Sequence, residues 1–474
     1  MRIDISKYKE HYHDSKGKMV DRWQEGIKLL PFTSNPSQDG VDKGAGLSGA
    51  TGAFFRLLEK DQVQAIEDFA AAESKVRSYL VEKCRMKVSQ ADEFIRMFRD
   101  IMQVNGSLNV TDTAFLKYIP LVPDDDMIST KNKRKYRSGQ TKLGNLLASM
   151  ADLDFAIPNL ESNNLFSKLL KDALVECTSG FGGTKIQEEV YYVLPDIRKS
   201  FKDDFKWIME QDTTAIVRYI HLLLHFYVCY TVLQTLPKLS YRYKEQKPYY
   251  FILKSERIST THDAVLSWKN ILPKTFMDRI YGRSQALDII NCVLERKDEK
   301  FVGFYPEVLT RLSETPFEEN KADCEELLRL YQKDKREVFS KRSSESSSIE
   351  EIDVTVNSYE EFFKKLERLC CGLQSPSYIS RMRKKIVDLL SMRFLQLRRG
   401  NYVLTLDNEM LVFLVAMITK GQRVKLEEMY KGFNRYGIFF NRGTRLAIES
   451  YLLKLNLLDR KSDSGEAQYV KVIL

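Results

Sequence analysis

The sequence predicts a mainly α protein: a multi-helical body followed by a smaller C-terminal domain of short helices and a closing hairpin. Apolar residues recur at three- and four-residue spacing through stretches such as FFRLLEKDQVQAIEDF (54–69), the period of one helix face. Strand-like patterns are confined to YYFILKSERI (249–258) and the last hundred residues. Over 474 positions, 43% hydrophobic and 29% charged residues suit a chain that buries a real core.

The N-terminal MRIDISKYKEHYHDSK has no apolar run, so no signal peptide is expected. A short helix is predicted around 19–30. PFTSNPSQDGVDKGAGLSGATG then reads, from its Gly, Ser and Pro content, as a flexible loop over 31–53. Helical periodicity follows over 54–104, where Ser89 is placed to cap SQADEFIRMFRDIMQ. Residues 105–143 read as turns, including the basic run KNKRKYR, and close an N-terminal region spanning 1–143.

A central helical domain is predicted over 144–340. It contains NNLFSKLLKDALVEC (163–177), a long helix over 213–236, SQALDIINCVLERK and KADCEELLRLYQKDKREVF. YIHLLLHFYVCYTVLQTL (219–236) approaches the length of a membrane span. However, His221, His225 and Gln234 lie inside it and Asp212 and Arg218 crowd its start, so a buried core helix ending at Pro237 is expected. The seven cysteines are scattered and odd in number, without CxxC spacing. They suggest reduced thiols and a cytoplasmic protein with no membrane partner. Residues 341–357, opening KRSSESSSIEEID, form a polar linker to the C-terminal domain, 358–474.

In that last domain FLQL and YVLTL flank the basic turn RRGN. Asp407 then caps NEMLVFLVAMITK, which Gly421 ends. KLEEMYKGFNRYG sets Leu426, Met429, Tyr430 and Phe433 on one face. Asn441 caps a third helix, RGTRLAIESYLLKLN, and LNLLDRK and AQYVKVIL flank the tight polar turn SDSGE. Three short helices and a two-stranded hairpin are the element order of a winged helix-turn-helix domain. Such a domain lays its third helix in the major groove of DNA and its hairpin beside the backbone.

Charge follows the same division. The net charge is +9, and the last 84 residues hold 14 Lys and Arg against 8 Asp and Glu, a net of +6. Such asymmetry suits an anionic partner, here double-stranded DNA. The candidate DNA-binding residues are Arg442, Thr444 and Arg445 at the start of the third helix, Arg460, Lys461 and Lys471 on the hairpin, and Arg398 and Arg399 in the preceding turn. The basic run adds Lys131, Lys133, Arg134, Lys135 and Arg137. Against DNA contact, Leu446 and Leu453 form a second apolar stripe on the third helix, and Asp463 and Glu466 at the hairpin tip would repel a phosphate. Docking to a protein partner therefore stays open.

Catalytic motifs fail. Gly44, Gly46 and Gly49 match GxGxxG without a preceding strand, and Gly180–Lys185 falls short of a phosphate loop. Asp124–Asp126, Asp152 and Asp154 lack a matched Lys or His. His221 and His225 lack the Glu and third ligand of a zinc site. Neither a catalytic set, a metal site nor a cofactor is expected.

The stretch GIFFNRGTRLAIESYLLKLNLLDRKSDSGEAQYVKVIL (437–474) resembles the end of the DptG (DndG) family, the G component of the bacterial DNA phosphorothioation-dependent restriction system. The likeness is carried by SDSGEAQYV and GIFF, with Glu466 standing where the family reads Asp. The resemblance implies a non-enzymatic subunit of a complex that attacks DNA lacking backbone sulfur. Its partners would be the F and H components, which carry the ATPase and helicase-like machinery. Two alternatives remain: a cryptic nuclease or nucleotide hydrolase in the helical body, and a winged-helix regulatory or replication protein.

Overall fold

The computed structural model describes residues 2–20, 24, 28–32, 46–58, 69–102, 113–121, 130–151, 172, 189–241, 248–257, 262–294, 302–342, 351–460 and 468–473. The helix expected over 163–177 (residue 172 apart), the Gly180–Lys185 stretch, the carboxylates at 124–126, 152 and 154, Gly44, and the hairpin tip 461–467 lie outside the described residues.

The protein is mainly helical with small sheets. In chain order come α1 (Ile5–Tyr12), α2 (Ser48–Leu58), α3 (Phe69–Glu82), α4 (Val88–Met102), α5 (Thr130–Ala151), α6 (Pro195–Met209) and α7 (Thr213–Lys238). Two short strands follow, β1 (Tyr249–Tyr250) and β2 (Ile252–Leu253). Then come α8 (Asp263–Ile271), α9 (Lys274–Met277), α10 (Ile280–Leu294), α11 (Tyr305–Leu312), α12 (Phe317–Arg342), α13 (Tyr359–Gly372) and α14 (Pro376–Ser391). The last stretch holds β3 (Leu395–Arg398), β4 (Asn401–Leu406), α15 (Asn408–Thr419), β5 (Val424–Lys425), α16 (Leu426–Arg435), β6 (Ile438–Phe439), α17 (Arg442–Lys454), β7 (Leu458–Arg460) and β8 (Gln468–Val470).

The chain divides into two compact units, and neither is continuous in sequence. One comprises Met1–Pro36, Val232–Lys247 and Asn270–Ile386; the other comprises Ser37–Thr231, Pro248–Lys269 and Val387–Leu474. The expected boundaries at 143 and 340 do not coincide with this division. Residues 341 and 342 still belong to α12, and Val356 is buried, so the polar segment is not wholly a solvated linker.

The first unit is organised on α10, whose residues are buried throughout. Several of its interior polar groups find partners. Asp288 accepts from Tyr12 of α1, Gln285 from Tyr331 of α12 at 3.0 Å, and Arg283 Nε donates to Glu367 of α13 at 3.0 Å. Asn291 exchanges hydrogen bonds with the backbone of Gly303 at 2.9 and 3.0 Å. A Cβ on Gly282 would stand 2.7 Å from the Cys371 backbone, so this glycine sets how closely α10 and α13 approach. The expected helix around 19–30 is absent from its described residues. Gln24 there has φ 60° and holds the Leu29 and Leu30 amides, at 2.6 and 2.8 Å, by its side chain.

The second unit corrects two loop expectations. Within the expected 31–53 loop, residues 48–53 are helical: α2 starts at Ser48 and is buried along almost its whole length. A Cβ on Gly49 or Gly52 would stand 2.3 Å from the carbonyl oxygens of Leu121 or Ile119. One on Gly144 of α5 would stand 2.5 Å from Ala53. The glycines therefore serve helix packing. Residues 131–137 also lie on a helix, the first turns of α5, rather than in a turn region. The apolar α7 runs one residue past Pro237, and 78% of its most apolar window is buried in protein, as expected for a core helix.

The C-terminal part of this unit is also built from earlier residues. β3 and β4 pair antiparallel around Arg399 and Gly400, whose φ values of 48° and 75° suit a two-residue turn. β2 adds to β4 in parallel and β1 pairs with β6 in parallel, so residues 249–253 are stitched between two late strands. Asp407 caps α15 at the Met410 amide, 2.8 Å, and the left-handed Lys420 with Gly421 (φ 74°) ends it. The last strands form a three-stranded sheet in the order β5-β8-β7, with Val470 opposite both Val424 and Leu458.

Candidate nucleic-acid interface

Asn441 starts α17 by accepting the Thr444 amide at 2.8 Å. This cap sets the first turn: Arg442 and Gly443 are exposed, Thr444 is fully buried and Arg445 is half-buried. The Thr444 hydroxyl donates to Glu256 Oε2 at 3.2 Å. Expected at the DNA surface, Thr444 instead faces inward, because the segment after β2 packs beneath this turn. Arg445 is engaged as well. Its guanidinium lies 4.5 Å over the Tyr430 ring and 3.9 Å from Glu427 Oε2, and its carbonyl accepts from the Tyr430 hydroxyl at 3.1 Å. Burial, followed by the nearby Glu449 carboxylate, raises the Tyr430 hydroxyl pKa well above its ordinary value.

The outward face of α17 presents Arg442, Leu446 and Ser450. Leu446 is 57% exposed, and Leu455 just beyond the helix is 43% exposed. The second apolar stripe read in the sequence is therefore a partly open surface on its Leu446 side.

Of the two turn arginines, Arg399 is exposed and Arg398 is not free. Arg398 Nη1 donates to the Glu256 carbonyl at 2.7 Å, Nη2 to the Lys254 carbonyl, and Nε to Gln396 Oε1 at 2.9 Å. It was expected to meet phosphates, but it clamps the segment following β2. Five donors on a planar fork suit that task, since they satisfy two carbonyls that a strand end leaves open.

On the terminal hairpin, Lys471 Nζ lies 3.1 Å from Asp459 Oδ1 and donates to Asn456 Oδ1 at 2.9 Å. Arg423 shares Asp459 at 3.1 Å and stacks 4.7 Å from the Tyr469 ring centroid. Sequence reasoning passed over Arg423. The β5–β8 register, Lys425 opposite Tyr469, brings it to this face. Arg460 pairs with Gln468 in the ladder, and Lys461 lies outside the described residues. Lys131, Lys133, Arg134, Lys135 and Arg137 occupy α5 and not the C-terminal elements. Lys135 and Arg137 are half-buried.

The surface around the start of α17 thus combines exposed Arg442 and, on a separate turn, Arg399 with cations already held by carboxylates or carbonyls. No group of three or more His, Cys, Asp or Glu fit to hold a metal ion occurs among the described residues. His225 is buried and His221, one turn before it on α7, is half-buried. Burial, then the Arg393 charge, pushes them down to about 4 and about 3. No protein-family model matches the chain. No curated protein matches it either.

Proposed function

We propose that the chain is a non-catalytic subunit of a bacterial DNA-restriction complex that acts on DNA lacking phosphorothioate modification. Residues 408–474 would form its winged helix-turn-helix module, contributing DNA contact and assembly with ATPase and helicase-like partners. One observation carries the reading: helix, strand, two helices and a hairpin, with the first strand joining the hairpin in the order β5-β8-β7. That arrangement leaves the capped start of α17 and its exposed Arg442 facing outward, where such modules meet the major groove. The resemblance of residues 437–474 to the G component supplies the restriction context.

The test is duplex binding by the full chain, followed by fluorescence anisotropy across a salt series. Changing the exposed Arg399 and Arg442 together to Ala should weaken binding several-fold and shallow the log–log salt slope by about 1–2, one phosphate contact per arginine. Unchanged affinity and slope would defeat direct DNA contact by these residues.

A second reading, docking to a sister protein through the same face, is favoured by Leu446 and Leu455. Their exposure sits beside cations that are already paired. Under it, Leu446→Ser would release the partner ATPase in co-purification while leaving duplex affinity intact.

A further inference from the structure

The turn that follows β2, Lys254-Ser255-Glu256-Arg257, lies far in sequence from the C-terminal elements, yet two of them are fastened to it. Arg398 at the end of β3 donates from Nη1 to the Glu256 carbonyl at 2.7 Å and from Nη2 to the Lys254 carbonyl. The Glu256 carboxylate accepts the Leu253 amide at 2.7 Å with Oε1 and the Thr444 hydroxyl at 3.2 Å with Oε2. Consecutive Cα atoms are about 3.8 Å apart. Arg399 and Arg442 therefore stand one and two residues from the groups that grip the turn.

With its carbonyls and Glu256 turned to these partners, the turn leaves the side chains of Lys254 and Arg257 exposed, as are Arg399 and Arg442. None of these four forms an ion pair with a described residue. Arg398 uses its donors on two carbonyls and, at 2.9 Å, the Gln396 amide oxygen. All three acceptors are neutral, so they leave the Arg398 charge in place beside the exposed four.

The carboxylates around the turn are engaged or few. Asp407 follows Leu406, whose carbonyl accepts the Lys254 amide at 2.8 Å, and is itself held by Arg393 at 3.0 Å and by the Met410 amide. Residues 254–257, 398–399 and 442–444 carry five cationic side chains against Glu256 alone. The balance stays positive with Asp263 counted, which follows His262, whose Nε2 lies 3.5 Å from Asn441 Nδ2.

We infer that this turn is a further phosphate contact of the DNA surface, with Lys254 and Arg257 meeting the backbone of a duplex alongside Arg399 and Arg442. The inference rests on the DNA-contact reading proposed above and extends it to a segment 142 to 188 residues earlier in the chain. A phosphodiester backbone fits because it repeats its charge along a line, so cations on three separate segments can each meet a phosphate. Such contacts position the protein without reading bases. Arg398 and Glu256 hold the turn before DNA arrives, which keeps the ordering cost of binding low.

The test is duplex binding by the full-chain variant K254A/R257A, read by fluorescence anisotropy across a salt series beside R399A/R442A. Binding several-fold weaker than the parent's is expected, with the log–log salt slope shallower by about 1–2 and the same loss on duplexes of unrelated sequence. Both side chains are exposed, so the variant should keep the parent melting temperature. The charge-keeping K254R/R257K should stay within a few-fold of the parent. Loss in R399A/R442A with none in K254A/R257A overturns this inference and leaves the DNA-contact reading standing. No saturable duplex binding by the parent overturns both. Loss in K254A/R257A alone keeps the turn as a contact and removes Arg399 and Arg442. Equal loss in K254A/R257A and K254R/R257K, or a loss confined to one duplex sequence, overturns the phosphate contact.

Discussion

At the residue scale, the two histidines of α7 tie stability to pH. In an unfolded chain their imidazoles protonate near pH 6.5, whereas burial holds His221 down to about 4 and His225 to about 3. As pH falls below 6.5 the unfolded state takes up protons first, so stability is full above that pH and declines toward 4. At pH 5 the loss is about 2 kcal/mol per imidazole. Urea unfolding at pH 7 and pH 5 reads it. His225→Phe, set against the Phe394 ring that His225 already meets edge-on, should shrink the pH 7-to-5 difference by about that amount. An unchanged difference would show that His225 is not held neutral. The thiols behave comparably: burial pushes Cys371 up to about 12 and Cys370 higher, so the vicinal pair is packing material rather than a nucleophile.

At the element scale, the glycines of GAGLSGATG allow α2 to press against the Ile119 and Leu121 carbonyls and against α5. Gly52→Ala should therefore be strongly destabilising despite the better helix propensity of Ala. A loss of about 1–3 kcal/mol is expected for overpacking at a contact that cannot retreat. A melting temperature equal to the parent's would refute that close approach. The same segment shows why some elements were legible in the sequence and others were not. Asp407 and Asn441 announced α15 and α17 because a cap acts on amides three residues ahead, within any reading window. The Arg399–Gly400 turn was legible for the same local reason. The glycines looked like loop residues because the backbone that demands them lies about 70 residues downstream. Lys131–Arg137 lacks an apolar stripe and so gave no helical period, although α5 propagates through it. Arg398 was misassigned because the carbonyls that occupy it come from positions 142 and 144 residues earlier.

At the scale of the whole molecule, the C-terminal elements do not make a self-sufficient bead. β1 and β2 supply parallel partners to β6 and β4. Asp204 of α6 also accepts from Tyr227 of α7 at 2.7 Å and from Tyr436 at 2.6 Å, and pairs with Lys420 at 3.0 Å. A fragment of residues 390–474 would leave the β4 and β6 edges open and should melt without cooperativity by circular dichroism. Appending residues 248–269 through a flexible linker should restore a sigmoidal transition; a cooperative melt by the bare fragment would contradict this account. No sequence window could reveal these partnerships, because discontinuous units leave no local mark. Their arrangement also orders events during synthesis. Once Ile386 has left the ribosome, every segment of the first unit exists, and it can close. The second unit must wait for the terminal strands, so the faces of α6 and of α7 that meet Phe394, Phe413 and Tyr436 stay uncovered for most of translation. Nascent chains arrested before residue 387 should therefore engage chaperones through those faces.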